Sequence, residues 1–170
     1  MVSLRPAAKD DIPLLKRWDE NPHVAAAGGD DDWYDWETEI PRDAEWGEIL
    51  IAETGGRPIG VLEIIDPAKE PSHYWGDIQP NLRAIDIWIG DEADLGGGLG
   101  TQMMRLALDR CFAEERVRAV VIDPLESNVR ARKFYERLGF RFVERRRFQN
   151  DDCAVYRFDR EDYDRLAGSR

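Results

Sequence analysis

Hydrophobic and polar positions change period several times along this chain, and the changes mark out strands and helices in alternation. Leu4 and Arg5 begin a short strand. Asp10-Asp11 can cap a helix that has Pro13 in its first turn and Ile12, Leu15 and Trp18 on one face. Asn21-Pro22 should end it, because the residue before a proline is pushed out of the helical region. Residues 23–47 mix Gly28-Gly29, an Asp30-Asp31-Asp32 run and Trp33, Tyr34, Trp36 and Trp46, and read as loop plus a short helix. Glu48 to Glu53 and Pro58 to Ile65 make a hairpin around Thr54-Gly55-Gly56-Arg57. Asp66 to Asn81 is a long irregular connection containing His73-Tyr74-Trp75.

The second half is more regular. Ala84 to Ile89 is a strand, and Gly96 to Gly100 is a glycine-rich turn into a helix that runs to about Glu115. Val117 to Ile122 is a strand stopped by Asp123-Pro124. Asn128 to Leu138 is a helix closed by Gly139. Phe140 to Phe148 and Cys153 to Phe158 pair around an Asn150-Asp151-Asp152 turn. The order is that of an α/β (α+β) chain with a mixed sheet and helices on its faces.

Composition narrows the class. A chain of 170 residues suits one domain spanning 1–170, and 42% hydrophobic residues exclude a disordered tail. The longest apolar runs are too short to cross a bilayer, and the first residues lack a signal-peptide layout. Cys111 and Cys153 suffice neither for a disulfide framework nor for a structural zinc site, so the expectation is a reducing cytoplasm and no metal. The net charge of −11 argues against nucleic acid and for a cationic partner. Its placement says more. Residues 1–100 hold 22 acids and 8 bases, a net of −14, whereas residues 101–170 hold 13 acids and 16 bases, a net of +3.

Four features can carry chemistry. The turn from Leu95 to Thr101 follows a strand and opens a helix, where unpaired amides and the helix dipole suit a phosphate; the alternative is a flexible turn. Asp86 lies between Ile85 and Ile87 in a strand, where aspartate is disfavoured, so it either lines a cleft or pairs with a base such as Arg83. Alternation puts Ala84, Asp86 and Trp88 on the face opposite Ile85, Ile87 and Ile89. Asp123 closes the next strand, where α/β sheets place ligands, unless it only forms a turn. Tyr135 follows Asn128 and Ala131 on one helix face, as a site residue or a packed aromatic.

A strand, a G-x-G turn into a helix, a second strand and then Asn-x-x-Ala-x-x-x-Tyr-Glu-x-x-Gly-Phe from Asn128 to Phe140 resemble the GCN5-related N-acetyltransferase family. Arg83-Ala84-Ile85-Asp86, the glycine turn and Asp123-Pro124-x-x-Ser127-Asn128-x-Arg130-Ala131 look most like its aminoglycoside 6'-N-acetyltransferases. The resemblance implies a mostly antiparallel sheet whose central strands splay apart around acetyl-CoA. It implies that the backbone at Trp88 and Ile89 pairs with the pantetheine arm. Amides of Gly96, Gly97, Gly98, Leu99, Gly100 and Thr101 would bind the pyrophosphate, with Asn128 and Lys133 beside the cofactor. Asp86 and Asp123 become acceptor-site carboxylates, joined by an acid of the last turn, Asp151 or Asp152, with Asp152 the expected site residue.

Two departures stand out. Leu95 occupies the place of the family's Arg/Gln, and Ala26-Ala27 stand where a tryptophan pair is expected before Gly28-Gly29. Stacking on an acceptor's rings would then fall to Trp33, Trp36 or the Tyr74-Trp75 pair. The expected reaction is acetyl transfer from acetyl-CoA to a primary amine of a polycationic small molecule by a monomer or homodimer. Asp86 would take the amine proton, Asp123 would orient the amine, and Tyr135 would protonate the leaving thiolate. A polyamine, a peptide N-terminus, a siderophore hydroxylamine, or acyl-CoA binding without catalysis are the alternatives.

Overall fold

The computed structural model describes residues 1–29 and 34–169. Its strands are β1 (Val2–Pro6), β2 (Gly47–Thr54), β3 (Arg57–Ile65), β4 (Leu82–Ile89), β5 (Ala119–Ile122), β6 (Arg141–Phe148) and β7 (Asp151–Asp159). They form one sheet in the order β1-β2-β3-β4-β5-β7-β6, antiparallel at every junction except β4–β5. The expected mixed, mostly antiparallel sheet is present.

The parallel junction is short. Leu82, Arg83 and Ala84 pair with Ala119, Val120 and Val121, and there the pairing stops. β4 runs on to Ile89, still paired to β3, while Ile122 of β5 stays paired to Tyr156 of β7. The sheet therefore divides between two strands that each keep their outer partner. A wedge opens in its middle.

Helices cover both faces. α4 (Leu99–Phe112) and α5 (Val129–Leu138) bury Met103, Met104, Ala107, Leu108 and Tyr135 in the principal core, with Ile85 beneath them. α6 (Arg160–Ala167), a helix the hydrophobic pattern does not announce, adds Tyr163 to this side. On the opposite face, α1 (Ile12–Asp19), α2 (Pro22–Gly28) and α3 (Trp36–Glu39) cover the β1–β4 half, with Leu15, Trp18 and Trp36 against Ile51 and Val61. The 66–81 connection covers the other half with Trp75 against Leu82, Ala84, Val121 and Phe148.

Local chemistry explains these bounds. Asn128 accepts the Ala131 N–H at 3.1 Å and starts α5, and Gly139 at φ 101° ends it, as expected. Pro22 works differently from the expectation. α1 has already ended at Asp19, and Pro22 opens α2 at the first helical position, where its missing N–H costs nothing. Residues 23–47 consequently hold parts of two helices, not one. Asp11 does not cap α1 with its side chain; it accepts two N–H groups of Arg5 at 2.8 Å and the Ala8 amide. That guanidinium holds the Asp11 carboxyl below the ordinary carboxylate range.

Candidate active site

The site begins with two rows of side chains on adjacent strands. Val61, Glu63 and Ile65 of β3 lie directly opposite Trp88, Asp86 and Ala84 of β4. Val61 and Trp88 belong to the apolar cluster under α1–α3, and Ile65 and Ala84 to the cluster under the 66–81 connection. Glu63 and Asp86 fall in the gap between these covers. Two carboxylates facing each other across a ladder repel, so the fold tolerates a local conflict there.

The gap is a cavity of about 330 Å³, lined by Glu39, Glu63, Glu70, Asp86 and Asp123, by Tyr34, Trp46, Tyr74 and Trp75, and by one base, Arg42. A second cleft, enclosing about 130 Å³, fills the wedge between β4 and β5. Ile85 to Trp88 wall one side of it, and Ile122, Asp123, Pro124 and Asn128 the other. Tyr34, Asp86 and Asp123 line both spaces and so mark the junction between them. The split sheet also lets residues from opposite faces meet. Tyr135 reaches the wedge from the principal core, and Asp86 and Asp123 from the opposite side.

Hydrogen bonds fix these groups. The Tyr34 hydroxyl bridges the carboxylates, 3.1 Å from Asp86 Oδ2 and 3.3 Å from Glu63 Oε1. Arg42 donates to Glu63 at 3.3 Å, is paired with Glu39, and lies 4.0 Å above the Trp46 ring. Tyr74 donates to Asp123 Oδ2 at 2.5 Å while stacking on Phe148 with centroids 4.6 Å apart. Trp36 donates to Asp19, another wall of the wedge, at 2.6 Å.

Enclosure sets the proton affinities. Asp86 is open to the cleft but hemmed in by protein elsewhere, and this loss of water raises its pKa while the Tyr34 hydrogen bond opposes the rise. Glu63 is pushed up to about 7, by burial first and by the Asp86 charge second; Arg42 pulls in the other direction. The Tyr135 hydroxyl is buried beside Asp86 and Asp123, and its pKa is raised well above the ordinary tyrosine value. It stays protonated at neutral pH.

The structure brings together Asp86, Asp123, Tyr135, Asn128, Trp88 and Tyr74, and sets other expected residues apart. Arg83 is not the partner of Asp86; it pairs with Asp66 at 3.3 Å and with Glu114. Asp152 and Asp151 line neither space: Asp152 is paired with Arg147 at 3.0 Å, and the Asp151 carboxyl lies within 3 Å of where a Cβ on Gly29 would stand. Trp36 is 1% exposed and Trp75 4%, each packed among other rings, so neither offers a free face for stacking. Trp33 lies outside the described residues. Lys133 is exposed on α5 and lines neither space.

The glycine turn opens α4 as expected. Gly96 and Gly98 have φ of 77° and 80°, and added Cβ atoms on Gly96, Gly97 and Gly98 would meet nothing within 4 Å. The first helical bond of α4 runs from Gln102 N–H to Gly98 C=O, leaving the Leu99, Gly100 and Thr101 amides at the open helix end. The Ile89 carbonyl is 2.8 Å from His23 Nε2, and the Gly90 carbonyl accepts Asn21 Nδ2 at 2.7 Å. The start of α2 thus holds the far end of β4 in place.

Sequence reasoning missed Glu63, Tyr34, Arg42 and Asp19. Glu63 carried a usable signal, a lone acid within Ile59-Gly60-Val61-Leu62-Glu63-Ile64-Ile65, the same anomaly that singled out Asp86.

A family profile described as "Acetyltransferase (GNAT) domain" matches residues 7–148. An aminoglycoside N(6')-acetyltransferase type 1 of Klebsiella pneumoniae is 28% identical over 153 residues, covering 82% of this chain and 73% of its own. The lysine N-acyltransferase MbtK of Mycolicibacterium paratuberculosis is 30% identical over 172 residues, covering 96% and 76%. Among solved structures, aminoglycoside acetyltransferase AAC(6')-Ib with coenzyme A and kanamycin superposes with a TM-score of 0.87 at 24% identity, covering 98% of this chain and 99% of that one.

Proposed function

The chain belongs to the GNAT acetyltransferase family, and from that premise we propose that it transfers the acetyl group of acetyl-CoA to a primary amine of a polycationic small molecule, the 6'-amine of an aminoglycoside. The observation that carries the acceptor class is the 330 Å³ cavity, around which the described residues place five carboxylates and one base. An alkylamine is a cation at neutral pH, with a pKa of about 10. Several ammonium groups on one molecule fit such a cavity through charge-assisted hydrogen bonds.

The residues support a direct transfer. Acetyl-CoA supplies the acyl group, its arm along the β4 edge that β5 leaves open at Trp88 and Ile89 and its pyrophosphate on the amides from Gly96 to Thr101. Asp86, at the junction of the two spaces, takes a proton from the ammonium, and its raised pKa suits a base. Asp123 orients the amine. The neutral nitrogen attacks the thioester carbonyl, polarised by β4 amides between Ile87 and Ile89, and Tyr135 protonates the departing thiolate. Asn128 spends its side-chain oxygen on the Ala131 amide, so its remaining amide hydrogens are what it offers the cofactor. Of the described aromatics named for acceptor rings, Tyr74 is the half-buried one that reaches the cavity. We place the enzyme in the cytoplasm, where acetyl-CoA is supplied.

A second reading has its own support. The MbtK relative is a lysine N-acyltransferase, and Ala26-Ala27 replace the tryptophans expected around an aminoglycoside. CoA release from acetyl-CoA decides between them, measured with kanamycin, spermidine and an Nα-blocked lysine. Turnover of kanamycin is expected. Turnover of the lysine derivative alone establishes the second reading, and no turnover of any amine removes the proposed activity.

A further inference from the structure

We propose that Asp19 determines acceptor specificity: it binds a second ammonium group of the molecule whose first amine is acetylated at Asp86, so the favoured acceptor carries two amines close together. This rests on the amine-acetylation reading above and narrows its substrate class.

Asp19 is the last residue of α1. A carboxylate there meets the negative end of the helix dipole, so the local structure gives it no reason to be charged. It is half-buried and lines the wedge together with Asp86. One oxygen accepts the Trp36 N–H at 2.6 Å. Among the described residues no other group bonds the carboxyl and no base pairs with it. Burial raises its pKa, and the Trp36 hydrogen bond offsets only part of the rise. A half-buried charge without a counterion is costly, and an incoming cation removes that cost. α2 lines the same space chiefly with Ala25, Ala27 and Gly28, whose small side chains leave room in front of the carboxyl.

Two stacked rings hold the carboxylates in relation to each other. Tyr34 and Trp36 lie face to face with centroids 4.7 Å apart, the Tyr34 hydroxyl 3.1 Å from Asp86 and the Trp36 N–H on Asp19. Asp86 and Asp19 thus wall one enclosed space of about 130 Å³. That space suits a short chain or one edge of a ring, so the second amine belongs a few bonds from the first. The other occupant of the wedge needs nothing of this kind, because the reacting end of acetyl-CoA is a neutral thioester. An ammonium gains a charge-assisted hydrogen bond. Asp86 gives up its charge when it takes the proton, whereas Asp19 keeps its own and holds the molecule through the transfer.

The test uses two matched pairs of ligands. Kanamycin A and kanamycin B differ in the ring that bears the 6'-amine, which carries a 2'-hydroxyl in the first and a 2'-amine in the second. Butylamine and 1,4-diaminobutane differ by one terminal amine. Calorimetric Kd values measured without acetyl-CoA need no turnover. In at least one pair the wild-type chain should bind the member with the extra amine roughly tenfold more tightly, the scale of one hydrogen bond to a charged group. Asp19→Asn, which keeps an oxygen for Trp36, should abolish that preference. Long-range attraction to the extra charge would survive the substitution, since the other carboxylates remain. A merely structural role for Asp19 weakens both members of a pair equally. That result, or a wild-type chain with no preference in either pair, overturns the inference. An Asp19-dependent preference without acetylation of either kanamycin removes the aminoglycoside assignment and leaves the inference standing. Acetylation of both kanamycins with no such preference overturns the inference alone.

Discussion

The two halves of the site are made of different materials. The proposed acceptor cavity is built from side chains: Glu63 and Asp86 aligned across a ladder, Tyr34 between them, Arg42 and Asp123 at the margins. The proposed cofactor wedge is built from backbone: a β4 edge that β5 no longer pairs beyond Ala84, and a helix opened by Gly96 and Gly98. A charge-built space is disturbed by altering charge, and a backbone-built one by adding atoms. Each prediction presses on one half and leaves the other as its control.

The largest effect belongs to Asp86→Asn. It removes the proposed base from the shared junction, and kcat should fall by roughly 10²–10⁴ while KM for acetyl-CoA stays near wild type. Steady-state kinetics with both substrates varied checks this; near-normal turnover would end the role of Asp86. Next comes Gly90→Ala on the backbone side. An added Cβ would stand 2.0 Å from the Trp18 ring, so urea melts should show a loss of about 3 kcal/mol. A loss under 1 kcal/mol would mean that α1 moves aside freely.

Glu63→Gln gives a third, opposite effect on stability. The folded Glu63 holds its proton up to about pH 7, whereas the unfolded chain releases it near 4.3. Between these values the native state binds more protons, so raising the pH lowers stability. The glutamine variant lacks this loss and should be about 3 kcal/mol more stable than wild type at pH 8, and nearly equal to it below pH 4.3. Denaturant midpoints at the two pH values decide it. The smallest effect is that of salt. Raising sodium chloride from 0.05 to 0.5 M should increase KM for kanamycin roughly threefold with kcat unchanged, because screening weakens the field of the acidic cavity. A constant KM would show that the carboxylates act only in direct contact.

The same contrast explains what was legible in the sequence. Asp86 and Asp123 stood out because a lone acid in or after an apolar strand needs a reason, and the glycine turn because φ above zero demands glycine. Glu63 showed the first signal equally well, but its meaning depends on a register that places it opposite Asp86 and not one residue away. Trp36 and Trp75 had the composition of a stacking platform, and only packing shows that they are buried. Arg83 was drawn to Asp86 by proximity in sequence, whereas the fold supplies Asp66 and Glu114 from distant segments. Pro22 could either end one helix or begin another; α1 has already ended at Asp19, and Pro22 begins α2.

The early end of the β4–β5 ladder has one more consequence. Most proteins confine unpaired strand edges to the margins of a sheet, where they invite other chains and must be blunted. Here an edge of five residues, Ile85 to Ile89, lies in the interior, with β5 and the start of α5 across the opening. A neighbouring molecule cannot lay a sheet against it, yet one slender extended chain can slide in lengthwise. Such a slot is adhesive toward a thread and inert toward a surface, so the protein keeps a permanently unfinished sheet without the usual risk of aggregation.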